Sequence, residues 1–386
     1  MPVSRCSELF APHGLAEIWK EIHTSTVHYP LGPYHPVLSQ PFQLTLHLRG
    51  ETVEAVDPVV TGFCGRGILN HAAGRSLTDV LTLLEHACAT AHESHRLAFC
   101  LAVEKLATLP VDPAAQKIRV LFAELERALA RLWTLYETGR AVGLHAVVFD
   151  ALDQREVLFT ALKEATGERV YWSVAEVGGV RSGVTFEALR SAVSELNESL
   201  PLWRGMADQR GTFSRIGENV GTVSAALAAE LGLTGVAARG SAAQDDLRLT
   251  QPYSGYADNM LGSRAAIPTL KGDVASRLAV VVADLENSIA TALALLETIE
   301  SSPSVAPVAL PKKLSADTAT AAVEGPHGAI RVSVRLKAPG TVVDVRLETP
   351  AEANLRSLPA ILESRPLTQV PVVLASLDLC PACSDL

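Results

Sequence analysis

Two stretches of this 386-residue chain repeat apolar residues at helical spacing for longer than a strand or loop sustains, and they dictate most of what it can fold into. After the punctuation LPVDP, Asp112 is placed as an N-cap and Pro113 as the first helical residue. Ile118, Leu121, Phe122, Leu125, Leu129, Leu132 and Trp133 then fall on one stripe. A second run, from Gly272 to about Ser301, repeats the pattern through Leu278, Val281, Val282, Leu285, Ile289, Leu293, Leu296 and Ile299. Stripes this broad belong to helices packed in a bundle.

Strands flank the bundle. Phe42 to Val60 alternates apolar and polar residues around Gly50-Glu51, a hairpin pattern, and IRVSVRLKAPGTVVDVRLET reads as two strands around Pro339-Gly340. Further helices are expected from Ser76 to Thr108 and from Thr185 to Leu200, and VPVVLASLD near the end reads as strand-like. The expected fold class is α+β, a central helical bundle with small N-terminal and C-terminal antiparallel β elements. Its segments are 1–75, 76–300 and 301–386, the last opening on a Pro, Ser and Ala-rich stretch from Ser301 to Lys313.

Composition narrows the partners. With 48% hydrophobic and 19% charged residues the chain can bury a large core, while a formal charge of -9 without a Lys/Arg block gives no basis for binding nucleic acid or anionic lipid. No uninterrupted apolar run approaches the roughly 20 residues of a membrane span. The polar start, MPVSRCSELFAPHG, lacks a secretory signal's apolar stretch, so a cytoplasmic location is expected, with any membrane contact made through partner subunits.

Six cysteines, at 6, 64, 88, 100, 380 and 383, suit buried thiols or metal ligands in a reducing compartment. Cys6 and Cys100 read as isolated buried thiols. Cys380 and Cys383, in SLDLCPACSDL, stand three residues apart, so a tight turn can aim both sulfurs at one soft metal. Alone, a CxxC does not separate metal or redox use from structural cysteines. His86, His92 and His95 flank Cys88, but on one helix only His92 and His95 would share a face, which counts against a separate zinc site. Arg66, Asp246 and Arg248 read as buried charges that pair with one another.

The C-terminal motif resembles that of nickel-iron hydrogenase large subunits, above all the membrane-bound group related to complex I. LLEHACATAHESHRLAFCLAVEKL resembles the family's first cysteine motif, with Cys88 as its first cysteine, His95 as its downstream histidine and Ala91 where the second cysteine belongs. Further pieces follow in the family's order: GPYHP at Gly32 to Pro36, GRG at Gly65 to Gly67, GLTGVAARGS at Gly232 to Ser241, QPYSGY at Gln251 to Tyr256, VEGPHG at Val323 to Gly328 and TPAEANLRSLP at Thr349 to Pro359.

The resemblance implies an oxidoreductase subunit that receives electrons from an iron-sulfur small subunit and couples redox chemistry to membrane ion-translocating subunits. It would sit peripherally on the inner side of the cell membrane, with the iron-sulfur clusters in the partner. It further implies a nickel and iron site held by Cys88, Cys380 and Cys383, incomplete because Ala91 supplies no bridging sulfur. His35, Arg66 and His95 would be the catalytic residues. His35 keeps the position that in complex I bonds a quinone headgroup, so quinone or another small redox substrate is implied, although the quinone-site tyrosine falls at Ala89. Leu69 replaces the proton-relaying glutamate of hydrogenases, and Cys64 is a candidate replacement thiolate. Two competing readings stand: a non-catalytic scaffold that has kept only the fold, and an active nickel-iron hydrogenase with altered ligands.

Overall fold

The computed structural model describes residues 26–63, 67–243, 246–258, 270–299, 307–311, 314, 316–337 and 340–386. Cys6, Cys64 and Arg66 lie outside them, so the readings made of those residues do too. The N-terminal sheet is an antiparallel meander of β1 (Thr26–Leu31), β2 (Leu44–Arg49) and β3 (Thr52–Val56), with Leu31 opposite Leu44 and Leu46 opposite Val56. The expected hairpin is its second half.

The helical body follows, with α1 (Leu77–Glu85), α2 (His92–Ala107), α3 (Pro113–Ala141), α4 (His145–Thr166), α5 (Glu187–Ala207) and α6 (Val274–Thr298) as its long members. One expected helix, Ser76 to Thr108, is in fact two, because residues 86–91 break it and Ala91 becomes the N-cap of α2. That break carries Cys88. Short helical turns fill 212–250. The C-terminal sheet is β4 (Thr318–Gly325), β5 (Gly328–Lys337) and β6 (Thr341–Glu348), antiparallel, with Val323 opposite Ile330 and Val334 opposite Val345. A last helix, α7 (Val370–Ser376), stands where VPVVLASLD was expected to be a strand. Pro371 sits in its first turn, where a missing N–H is tolerated, and a run this short fits either period.

The start of α3 is as the sequence implies: Asp112 accepts from Ala114 N at 2.7 Å and Pro113 is the first helical residue. Its surroundings are not. Besides the apolar stripe, Arg119, Glu124, Glu126, Arg127 and Arg131 are all buried, because α3 packs against α4, α6 and α7 and is enclosed on every side. Each finds a partner, as burial demands: the arginines meet carboxylates or carbonyls, and Glu126 accepts from the Glu93 and Ser94 N–H groups and the Ser94 hydroxyl. Glu124 pairs with Arg248 at 3.1 Å, Arg248 with Asp246 at 2.9 Å, and Asp284 of α6 with Arg239 at 2.8 Å. The expected pairing of Asp246 with Arg248 is therefore present. By length and composition α6 could cross a membrane, with a mean hydropathy of 1.6. Here it is a core helix, 72% of that window being buried inside the protein.

Candidate metal and redox site

The site is built by bringing the two ends of the helical body together. Cys88 lies in the 86–91 turn between α1 and α2. Cys380 and Cys383 lie in the tail after α7, where Cys383 N donates to Cys380 O at 3.1 Å and folds CxxC into a single turn. The Cys88 and Cys380 sulfurs are 3.1 Å apart, those of Cys380 and Cys383 are 3.4 Å apart, and all three lie within 4.8 Å of one another. His95 Nε2, from the first turn of α2, is 3.9 Å from Cys383 Sγ. The Sγ atoms thus converge across 292 residues of chain.

All three thiols and His95 are buried. Hydrogen bonds from Cys380 and Cys383 hold the Cys88 thiol well below its ordinary range, with burial acting against them. Cys383 is pushed up by its hydrogen bonds to Cys380 and Cys88 and by burial. Cys380 gains a compensating bond from Cys383, but its bond to Cys88 and its burial push it up as well. Cys88 is thus the readiest of the three to ionise, and loading a soft cation would release the protons that the cluster holds.

Around the sulfurs stands a polar chain. Thr90 Oγ1 is 3.2 Å from Cys88 Sγ and 2.8 Å from His327 Nε2. His327 Nδ1 is 3.1 Å from Asp378 Oδ2, and Asp378 is held by Arg131 Nη1 and Thr134 Oγ1, both donating at 2.6 Å. Burial favours neutral His327, but the adjacent Asp378 carboxylate outweighs it and pushes the imidazole up. Arg131 also donates to Pro326 O, fastening the β4–β5 turn that carries His327. Gly235 backs this turn with φ +67°, and a Cβ there would lie 2.2 Å from His327 O. Gly235→Ala is therefore expected to destabilise the protein by more than about 1 kcal/mol, read as a lowered unfolding midpoint.

The other expected site residues fare differently. His35 is half-buried and its Nδ1 accepts from Val37 N at 3.2 Å, within its own turn. The link from this loop to the cysteine tail is made by Gln40, whose Oε1 accepts from Ala382 N at 2.5 Å. Leu69 is half-buried in the short turn Ile68–His71. The three histidines diverge: His86 stacks on Tyr171 at 4.3 Å, His92 meets Trp172 edge-on at 4.4 Å, and only His95 reaches a cysteine. Burial pushes His92 down to about 3, so it is a neutral core histidine. Glu85, His92 and Glu93 also lie within 4.8 Å of one another, but Glu85 is taken up by Ser173 and Arg96, and Glu93 by the Val174 and Ala175 N–H groups. Thr90, His327, Asp378 and Arg131 escaped the sequence reading as site residues. His327 and Asp378 stand inside the VEGPHG and SLDLCPACSDL motifs, and that proximity was the available signal.

Residues 141–316 match the family model described as the respiratory-chain NADH dehydrogenase 49 Kd subunit. The chain is 30% identical over 379 residues to the membrane-bound hydrogenase subunit alpha of Pyrococcus furiosus, covering 93% of this chain and 87% of that one. This chain belongs to the large-subunit family shared by membrane-bound hydrogenases and complex I. Other members bracket it on both sides: the NADH-quinone oxidoreductase subunit 4 of Thermus thermophilus is 28% identical over 391 residues, 93% of this chain and 94% of that one. The solved structure of the membrane-bound sulfane sulfur reductase, an archaeal respiratory membrane complex, matches with a TM-score of 0.84 and 26% identity, over 94% of this chain and 98% of that one.

Family membership sharpens what is missing. The two-metal site implied by the resemblance needs four thiolates, two of them bridging. Among the described residues three converge, and Ala91, buried at the N-cap of α2, contributes only a methyl group. Among the described residues that set is one thiolate short of a nickel and iron pair.

Proposed function

We propose that this chain is the redox subunit of a membrane-associated complex, taking electrons from an iron-sulfur partner subunit and passing them to a small substrate beside Cys88, Cys380 and Cys383. Its redox state would drive ion-translocating partner subunits in the membrane, on whose inner face the chain would sit peripherally. The observation that carries this reading is the convergence of the three buried sulfurs with the His327 and Asp378 chain. A drifting scaffold has no use for buried thiols, far apart in the chain, held beside an imidazole that a buried carboxylate orients.

Beside the cluster lies a narrow cleft of about 30 Å³, room for about one water molecule. It is walled by Val37, Leu38, Phe42, Trp133 and Leu374, and its polar end is formed by Thr134, Glu137 and Asp378, two residues from Cys380. A redox molecule the size of a quinone headgroup would need these walls to part before its polar atoms could approach the site. His35, two residues before Val37, would act from the rim, while Arg66 lies outside the described residues. Within the site, Arg131 and Thr134 orient Asp378, Asp378 orients His327, and Thr90 hands that polarity on to Cys88.

The test is electron delivery in the assembled complex from its reduced iron-sulfur partner to a water-soluble quinone, to polysulfide and to protons, each in turn. Cys380→Ser is expected to lower the rate with the active acceptor by at least roughly 10–100-fold while assembly is retained. A full rate in an assembled Cys380→Ser complex would sink the proposal and leave the scaffold.

A further inference from the structure

The misfit of this site to two metals is informative about what it does fit. We infer that Cys88, Cys380 and Cys383, with His95 Nε2 as fourth ligand, hold a single thiophilic divalent cation, Zn²⁺ or Fe²⁺, in a tetrahedral site.

Distances carry the first part. With metal-thiolate bonds of about 2.3 Å, the sulfurs of a tetrahedral site stand about 3.8 Å apart. The observed separations of 3.1 and 3.4 Å, with all three pairs inside 4.8 Å, need only a slight spreading of side chains to receive one ion. Two separations fall a little short of one tetrahedral edge and the third stays under 4.8 Å, so a slight spreading makes the three sulfurs one face of such a site.

The fourth vertex follows from the substitution at 91. Ala91 and His95 are i and i+4 at the start of α2, joined by the His95 N to Ala91 O hydrogen bond of 3.1 Å. Helical side chains lean toward the N-terminus, so the imidazole at 95 covers the turn that begins at 91. A cysteine at 91 would compete for that space; a methyl leaves it to the ring, whose Nε2 stands 3.9 Å from Cys383 Sγ. An S–N edge of a tetrahedral Cys₃His site is about 3.5 Å; His95 is near that distance from Cys383 but stands outside the 4.8 Å sulfur cluster, so the ring must swing toward the sulfurs to close the set. Three sulfurs and one imidazole nitrogen are also a donor set that Zn²⁺ and Fe²⁺ accept readily.

This inference concerns metal content and does not rest on the electron-transfer reading, so the two can fail separately. The assembled complex is purified anaerobically and its metals counted beside the Cys88→Ser/Cys380→Ser/Cys383→Ser variant, the iron of the partner clusters cancelling in the difference. One zinc or one extra iron per chain, without nickel, is expected. X-ray absorption of the Co²⁺-loaded wild-type complex should show three sulfur neighbours at about 2.3 Å and one nitrogen at about 2.0–2.1 Å. His95→Ala should lose the nitrogen neighbour and bind Co²⁺ roughly 10–100-fold more weakly. Wild-type spectra stand without any variant, should the triple variant not assemble. No metal difference and no sulfur-bound Co²⁺, or nickel together with the infrared bands of iron-bound diatomic ligands, would overturn the site. An unchanged nitrogen shell in His95→Ala would remove His95 from it.

Discussion

Arg131→Met is expected to lower the free energy of unfolding by about 3–5 kcal/mol, the range for removing one partner from a buried ion pair. Arg131 is fully buried on α3 and uses its three nitrogens on three separate elements. Nη1 donates to Asp378 at 2.6 Å, Nη2 donates to Pro326 O, and Nε stands 3.4 Å from Asp284 on α6. Methionine matches much of the volume and none of the charge. Asp284 keeps Arg239, but Asp378 keeps only Thr134 and His327. Burial acts to raise the Asp378 carboxyl, and the charges of Arg131 and His327 now overcome it and hold the group well below the carboxylate range. Without Arg131, that carboxylate either remains charged in apolar surroundings or takes up a proton, and both cost folding free energy. The check is denaturant unfolding of Arg131→Met beside Arg131→Met/Asp378→Leu. Taking out both partners should restore a large part of the loss, since the penalty is the orphaned charge and not the missing bridge. A single variant within about 1 kcal/mol of wild type would mean the pair is solvated in ways its burial does not suggest.

The same residue marks how far the sequence could be read. Helices α3 and α6 were legible because their apolar residues keep a 3.6 period over many turns, and the cap at Asp112-Pro113 is a purely local signal. Strands β2, β3, β5 and β6 were legible because each has one solvent-facing side and so alternates. β1 and β4 were not read: TVHYPL is too exposed to alternate, and TATAAVEG is built from small residues. Helix α7 was missed because seven residues cannot distinguish the two periods.

At the site, Cys88, Cys380 and Cys383 were legible from residue type and spacing, helped by resemblance, whereas their polar surroundings were not. Arg131 sits in a helix whose other charges look like an ordinary wet face. Only the packing of α4, α6 and α7 around α3 turns that face inward. Thr90 and His327 are 237 residues apart and meet through a 2.8 Å contact that no local pattern encodes. The break at 86–91 was hidden for a related reason. Its residues are mostly small and apolar, with Ala87, Cys88 and Ala91 buried, so they continue the helical pattern although the backbone departs from it.

That break depends on a residue far from it in sequence, and Trp172→Ala should expose the dependence, with a stability loss of about 3–5 kcal/mol. Trp172 is fully buried, meets His92 edge-on at 4.4 Å, and lies 5.9 Å from the Phe122 ring. Its neighbours Tyr171 and Ser173 both take left-handed backbone angles, φ 61° and 54°, which non-glycine residues hold only when their surroundings insist. The insistence comes from two carboxylates. Glu85 at the end of α1 accepts Ser173 N and Oγ, each at 2.7 Å, and Glu93 in the first turn of α2 accepts Ala175 N at 2.6 Å. The 171–175 loop is thus clamped to both sides of the turn that presents Cys88, with the indole as the wedge between them. Alanine would leave a cavity under His92, three residues before His95, and the clamp would relax into it. Trp172→Phe keeps most of the volume and should lose much less. A purely global loss of stability would speed native-state thiol labelling of Cys88 and Cys100 alike. Local opening of the turn should instead accelerate labelling by about tenfold for every 1.4 kcal/mol of opening free energy removed. Acceleration at Cys88 without any at Cys100, buried on the far turns of α2, would identify the 171–175 loop as the element that keeps the site shut.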